Sequence, residues 1–189
     1  MKLRIAKIDW YIGYEAIAAM TAVLLLDREN RVIFCFFAAI LHEMGHLLMM
    51  LLCGVHVRGI KLRLFDVLIE ADDAPNRKAD VLITLGGVGM NFLCAASLCP
   101  LGMKYGLPHL FLGIFNLLPV MSLDGGHLVE ICLENRCSPR ALANTLRVTT
   151  FVFLFPLMTA GLVLLLNSGY NYSLLVISLY LIVLLFLKH

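Results

Sequence analysis

Six long apolar stretches constrain this chain of 189 residues more than any other feature of its sequence. The stretches are 11–26, 33–53, 81–99, 108–122, 148–166 and 173–187. A helix needs about 20 mostly apolar residues to cross a membrane, and the second and third stretches reach that length. The pattern therefore predicts an all-α polytopic membrane protein with about six transmembrane helices.

The composition supports the membrane assignment and excludes several other classes. Hydrophobic residues make up 61% of the chain and charged residues 15%, whereas soluble domains have about 45–50% and about 25%. This balance excludes an ordinary soluble enzyme, a disordered protein and a nucleic-acid-binding protein. Six helices occupy about 120 residues, which leaves short loops and no second sizeable domain. We therefore expect residues 1–189 to form a single integral-membrane domain that contacts the lipid bilayer.

The basic residues are distributed unequally over the two sides of the predicted helices. With six spans, both termini share one side with the second and fourth loops, and twelve of the fifteen Lys and Arg residues fall on that side. Cytoplasmic loops carry an excess of Lys and Arg. The distribution therefore predicts a multi-pass protein of a cell membrane with both termini in the cytoplasm.

The second loop, 54–80, is not uniformly polar. Apolar and polar side chains nearly alternate over 55–64, which is typical of a strand or hairpin. We predict a small β-hairpin or strand element after the second span. This element is either a cytoplasmic loop with some β-structure or a sheet edge that pairs with an extended peptide.

The second span contains a metal-binding pattern. His42, Glu43 and His46 form H-E-x-x-H, in which two histidines four residues apart lie on one helical face and can reach one ion. Glu43 can then take a proton from a water molecule at the open position of the metal. Zinc suits this pattern because it accepts nitrogen and carboxylate ligands and keeps a position open in catalytic sites.

The depth of this pattern in the membrane favours a functional role. Glu43 lies about ten residues from either end of its stretch, and so about 15 Å deep at 1.5 Å per residue. An ionisable residue at that depth costs about 2.5–3.5 kcal/mol even on the gentlest scales. The alternative is that these are three polar side chains whose hydrogen bonds are satisfied between helices.

A third ligand is expected from the region of the fourth span, where Asp124 is the leading candidate. Pro119 interrupts helix continuity, and Gly125 and Gly126 follow the acid and free its backbone. Irregular backbone at membrane depth is tolerated where it lines a wet cavity, which hydrolysis in a membrane requires. Taken alone, Asp124 could equally be a turn residue at the cytoplasmic surface.

Together, the two motifs resemble those of the site-2 protease family of intramembrane zinc metalloproteases, peptidase family M50. The matching patterns are H-E-x-G-H at 42–46 and N-x-x-P-x-x-x-L-D-G at 116–125. The layout of spans resembles the branch that contains stage IV sporulation protein FB. The resemblance implies that His42, His46 and Asp124 bind Zn²⁺ and that Glu43 is the catalytic base.

The resemblance also implies substrate-binding residues and partners. Asn116 and Pro119 match family positions that shape the loop meeting the substrate, and Asn91 matches a third motif near G-P-x-x-N, here without its Pro. The implied substrate is a membrane-tethered protein in a bacterial inner membrane. A membrane-embedded inhibitor or regulator is also compatible with this family.

The sequence departs from the family pattern in two places. The residue after Leu-Asp-Gly-Gly is often Arg, but it is His127 here. The sporulation branch carries a CBS domain after its last span, and we expect none here, so regulation by a nucleotide is not predicted. His56 and His109 lie near span ends and are expected at the membrane interface.

Three functions remain open at this point. The leading prediction is a zinc metalloendopeptidase that hydrolyses peptide bonds of a membrane-tethered protein in regulated intramembrane proteolysis. A membrane transporter of metal ions could use the same His and Asp residues, although the stretches 148–166 and 173–187 contain no Asp, Glu, Lys, Arg or His that would continue a path. The third is a scaffold that resembles a protease but has no catalytic activity.

Overall fold

The computed structural model describes residues 2–5, 8–14, 17, 18, 21, 25, 31–62 and 67–168. The strands in this part are β1 Lys2–Ile5, β2 Ile8–Ile12, β3 Val57–Leu62 and β4 Val67–Ala71. The helices that can be bounded are α1 Arg31–Leu52, α2 Arg77–Leu98, α3 Met103–Asn116, α4 Asp124–Leu133 and α5 Pro139–Ser168. The chain divides into two compact units, Met1–Ile114 and Phe115–His189.

The N-terminal unit contains a four-stranded sheet in the order β1-β2-β3-β4. β3 and β4 form an antiparallel hairpin in which Ile60 pairs with Ile69, so the predicted β-element after the second span is confirmed. β2 runs parallel to β3, with Trp10 opposite Ile60, and antiparallel to β1. The two N-terminal strands were not predicted, because their pairing with β3 joins residues about fifty positions apart.

The position of β3 corrects the idea that an extended peptide pairs with 55–64. β3 lies between β2 and β4, so both of its backbone edges are already hydrogen-bonded within the described sheet. A further strand can be added only to a strand with an open edge. The outer strands of this sheet are β1 and β4, and an incoming peptide would have to pair with one of them.

Helices α1 and α2 approach each other through a pair of glycines. A Cβ atom on Gly45 would lie 2.3 Å from the carbonyl oxygen of Gly86, and one on Gly86 would lie 2.6 Å from the carbonyl oxygen of Gly45. Small residues at such positions allow two helix backbones to come close in a membrane. The buried side of α2 comprises Ala79, Ile83, Thr84, Gly87, Val88, Asn91 and Ala95.

Three helices in the described part are long and apolar enough to cross a membrane. They comprise Val32–Leu52, Arg77–Leu101 and Pro139–Asn167, and they correspond to the second, third and fifth predicted spans. Large apolar side chains remain exposed along one side of α1, at Ile33, Phe37, Ile40, Met44, Leu48 and Leu51. Their spacing of three or four residues defines a continuous face that suits contact with lipid.

The prediction of six spans is not confirmed. The first stretch, 11–26, begins in β2 rather than in a helix, although Tyr14, Ile17, Ala18, Thr21 and Leu25 are helical. The fourth stretch, 108–122, is wrong as a single helix, because α3 ends at Asn116 and 117–123 is irregular. The sixth stretch, 173–187, lies outside the described residues.

In the C-terminal unit, the irregular segment 117–123 is anchored to α5. Val120 is fully buried and packs with Leu154 in a small core, joined by the partly buried Phe115, Leu118 and Leu123. The backbone N–H of Met121 donates to Thr150 Oγ1 at 2.9 Å. The segment is therefore held by both apolar packing and a hydrogen bond at the point where the chain leads into α4.

Candidate metal centre

The two histidines of the H-E-x-x-H pattern lie together near the middle of α1. Their Nε2 atoms are 3.2 Å apart, and the two rings meet edge to face at a centroid distance of 4.7 Å. Two nitrogens that share a tetrahedral zinc at about 2.05 Å would be separated by about 3.3 Å. The spacing of the Nε2 atoms therefore fits a pair of ligands to one zinc ion.

His46 is oriented by the backbone of the neighbouring helix. Its Nδ1 lies 2.8 Å from the carbonyl oxygen of Ile83 in α2. A carbonyl oxygen only accepts, so Nδ1 carries the proton and donates it to this bond. Nε2 of His46 is then left with its lone pair, which is the form that binds a metal.

His42 is oriented by side chains on two other helices. Its ring is 5% exposed, and its Nδ1 lies 3.1 Å from Nδ2 of Asn91 in α2. Asn91 is fully buried, and its Oδ1 lies 3.2 Å from Nδ1 of His109 in α3. The Asn91 amide therefore joins His42 to a third histidine, which is only 2% exposed.

The prediction for His109 was wrong, and the sequence did not identify this residue as part of the site. We expected it at the membrane interface because it lies near a span end, but it is buried against Asn91. The other residues of its buried side on α3 are Gly106 and Gly113. A Cβ atom on Gly113 would lie 2.9 Å from Phe92 in α2, so this glycine allows α3 to come close beside Asn91.

Gly87 is required by the position of the two imidazoles. A Cβ atom at this residue would lie 2.4 Å from His46 Nε2 and 2.8 Å from His42 Nε2, whereas ordinary contacts exceed 3.4 Å. The backbone of α2 therefore lies directly against the two Nε2 atoms. Gly89, two residues further on, has open space where its Cβ would lie.

The proposed base follows the first ligand directly. Glu43 is half-buried on α1, in the helix that also carries His42 and His46. A carboxylate adjacent in sequence to a metal ligand can act on a water molecule at the open position of the ion.

Asp124 is the first residue of α4, where a carboxylate also interacts favourably with the helix dipole. The turn before it is packed closely: a Cβ on Gly125 would lie 2.3 Å from the Leu117 carbonyl oxygen, and one on Gly126 would lie 2.1 Å from that of Val120. Neither glycine has a positive φ, so the absence of a side chain is what the fold requires here.

His42 and His46 lie in the N-terminal unit and Asp124 lies in the C-terminal unit, so Asp124 as a third ligand stays a prediction. Two imidazoles and a carboxylate are a donor set that zinc accepts, and three protein ligands leave a fourth position open, as catalytic zinc sites require. The donor types of these residues therefore fit zinc.

The remaining predicted residues have simple surroundings. Asn116 is the last residue of α3 and is half-buried, and Pro119 lies half-buried in the irregular segment 117–123. Their contact with a substrate stays a prediction. His127 is exposed on α4, and its Nδ1 lies 3.3 Å from a carboxylate oxygen of Glu130.

Comparison with protein families gives a match to peptidase family M50 over residues 103–157. This stretch contains Asp124 and its preceding motif. A curated relative from Synechocystis sp., named as a zinc metalloprotease, is 28% identical over 109 residues. The alignment covers 50% of this chain and 29% of that protein, so the chain spans less than a third of its relative.

A solved structure shares the fold. The site-2 protease from Methanocaldococcus jannaschii superposes with a TM-score of 0.66 at 20% sequence identity. The match covers 96% of this chain and 91% of that chain. This match shows a shared fold, and the match to peptidase family M50 over 103–157 agrees with the resemblance that the two motifs predict.

Proposed function

We propose that this chain is a zinc-dependent endopeptidase that cleaves a membrane-tethered protein within or near the bilayer. The observation that carries the proposal is the pair of imidazole Nε2 atoms 3.2 Å apart in the middle of an apolar helix. Polar side chains at this depth are costly and mark functional sites by default. The likeness to peptidase family M50 and to a zinc metalloprotease supports the same activity.

In this proposal His42, His46 and Asp124 are the zinc ligands. The bond from His46 Nδ1 to the Ile83 carbonyl leaves Nε2 without a proton, which is the state that binds a metal and supports its role. When bound, zinc would supply a Lewis acid that polarises the scissile carbonyl and lowers the pKa of a water molecule to about 7.

Glu43 is the proposed general base and acid. Its carboxylate takes a proton from the attacking water and then delivers it to the nitrogen of the leaving amine, so that both products leave neutral at the cleaved bond. Asn116 and Pro119 are proposed to contact the extended backbone of the substrate. This role is carried over from the motif N-x-x-P-x-x-x-L-D-G.

The proposed location is a bacterial inner membrane, with several spans and both termini in the cytoplasm. The excess of Lys and Arg on the side of the termini supports this orientation. The substrates would be membrane proteins whose cleavage serves regulated proteolysis, and a membrane-embedded partner would control access. A transporter is not favoured, because the similar proteins are peptidases.

The test is metal-dependent cleavage of a membrane-spanning reporter by the purified protein in detergent or vesicles. We expect the wild type to cleave, a zinc chelator to stop cleavage, and added zinc to restore it. Asp124→Asn should abolish cleavage, whereas Asp73→Asn, an exposed residue after β4, should leave it unchanged. Cleavage that survives complete removal of zinc, or that Asp124→Asn leaves intact, would contradict the proposal.

A further inference from the structure

Asn91 and His109 lie behind the His42 ring, on the side of Nδ1. His42, Asn91 and His109 are 5%, 0% and 2% exposed, so their hydrogen bonds exchange little with water. The chain of contacts runs from His42 Nδ1 through the Asn91 amide to His109 Nδ1, with distances of 3.1 and 3.2 Å. Buried polar groups of this kind must satisfy one another.

The hydrogen-bonding options of the three residues are coupled. When Asn91 Nδ2 donates to His42 Nδ1, the proton of the neutral His42 ring lies on Nε2, and His109 Nδ1–H donates to Asn91 Oδ1. A metal at His42 Nε2 requires the opposite state, in which Nδ1 carries the proton and needs an acceptor. Rotating the Asn91 amide by half a turn presents Oδ1 as that acceptor and turns Nδ2 towards His109.

The rotated amide is satisfied only if residue 109 can accept a hydrogen bond. A neutral histidine can do so, because Nδ1 accepts when the ring proton is on Nε2. We propose that His109 is a positioning residue that acts through Asn91 to hold His42 in the orientation and tautomer that bind the metal. The inference rests on the proposed function, because it assigns a role towards the zinc ion of that site.

Residue 109 is brought to Asn91 by the shape of α3. Gly106, His109 and Gly113 form the buried side of this helix. The absence of a side chain at Gly113 accommodates Phe92 and Asn91 of α2, whose atoms would lie 2.9 and 3.4 Å from an added Cβ. His109 lies between these glycines in the sequence of α3, and its Nδ1 reaches the Asn91 amide.

The experiment measures the zinc affinity of the full chain in detergent by competition with a chromophoric chelator, and it does not depend on cleavage. We expect His109→Leu to weaken zinc binding by about 10–100-fold, the usual effect of losing a partner behind a metal ligand. His56→Leu, at an exposed histidine, is the matched control and should bind zinc as the wild type does.

Two further comparisons separate positioning from a general loss of packing. Asn at residue 109 places amide atoms near the position of Nδ1, whereas Gln places them near Nε2. His109→Asn should therefore bind zinc within about threefold of the wild type. His109→Gln should bind zinc about 10–100-fold more weakly, as expected for His109→Leu. In an Asn91→Leu background, His109→Leu should cause no further loss, because the path through the amide is already broken.

The outcomes distinguish this inference from the proposed function. Unchanged zinc affinity in His109→Leu would overturn the positioning role, as would equal losses with and without Asn91, while zinc-dependent cleavage by the wild type would still stand. A wild type that binds no zinc would overturn both. Should His109→Leu fail to fold, the comparison of His109→Asn with His109→Gln decides, and equal affinities for these two variants would overturn the role.

Discussion

The two histidines proposed as zinc ligands differ in how they are oriented. His46 donates to a backbone carbonyl, whose acceptor character is fixed, so its tautomer is set before any metal binds. His42 contacts an amide that can present either nitrogen or oxygen, so its tautomer depends on Asn91 and on what lies behind it. The i, i+4 spacing predicts that the rings meet, but it does not reveal the groups that orient them.

Sequence spacing could predict that His42 and His46 lie together but not which residues lie behind them. His42 and His46 are on one helix, so their proximity follows from local geometry. Asn91 and His109 reach His42 only after three helices have come together, and the sequence separations of 49 and 18 residues leave no local pattern. The sequence contained one indication of a role for His109, which is that it is a polar residue in an apolar stretch. Its position near the end of a predicted span suggested a simpler explanation, a histidine at the membrane interface.

Gly87 provides a test of the site at residue scale. Gly87→Ala places a methyl group within 2.4 Å of His46 Nε2 and 2.8 Å of His42 Nε2, which forces the rings apart. Since displacements of about 1 Å can cost about 100-fold, we expect cleavage and zinc affinity to fall by about that factor. Gly89→Ala, where the added Cβ meets open space, should leave both within about twofold. Equal effects of the two substitutions on zinc affinity would contradict the observed geometry.

At the scale of elements, the apolar stretches predicted the positions of two long helices, but they did not predict the secondary structure of two other segments. The stretches at 33–53 and 81–99 are helices close to their predicted bounds. The stretch 11–26 begins in a strand, and the stretch 108–122 ends in irregular backbone. An apolar run alone does not distinguish a helix from a strand or a buried loop. Pro119 signalled the break in the second case, and α3 ends three residues before it.

The segment 117–123 places Asp124 at the start of α4, so its anchoring on α5 should matter for stability. Thr150→Val keeps the shape of the side chain but removes the acceptor for the Met121 N–H. Leaving a buried donor unsatisfied costs about 1–3 kcal/mol, and we expect the free energy of unfolding in detergent to fall by that amount. The control is Thr159→Val, whose hydroxyl is exposed on the same helix. A loss no greater than the control's would show that the Met121 bond does not hold the segment.

At the scale of the whole molecule, the described helices combine exposed apolar side chains with a few buried polar ones. The helices that could span a membrane keep most of their surface exposed, and the exposed side chains on α1 are large and apolar. His42 lies on the other side of α1, where it contacts Asn91 of α2. The apolar composition of the chain therefore appears in the described helices as exposed side chains that suit contact with lipid.

The orientation in the membrane is a prediction for the whole chain. Twelve of the fifteen basic residues fall on the side of the termini, so we expect both termini in the cytoplasm. Fusions of a reporter that is active only in the cytoplasm should be active at either end of the chain. A reporter active at one end and inactive at the other would show an odd number of spans and overturn this orientation.

The proposed role of Glu43 as the general base is tested most directly by the Glu43→Gln variant. The measurement is the rate at which this variant cleaves a membrane-spanning reporter, on protein whose zinc content is matched to the wild type. The amide keeps the size of the side chain but cannot take a proton from water. We expect zinc to remain bound and the rate to fall by about 10²–10⁴-fold, the usual contribution of a general base. Glu134→Gln, at an exposed residue, should cleave normally. Cleavage by Glu43→Gln at the wild-type rate would contradict the account.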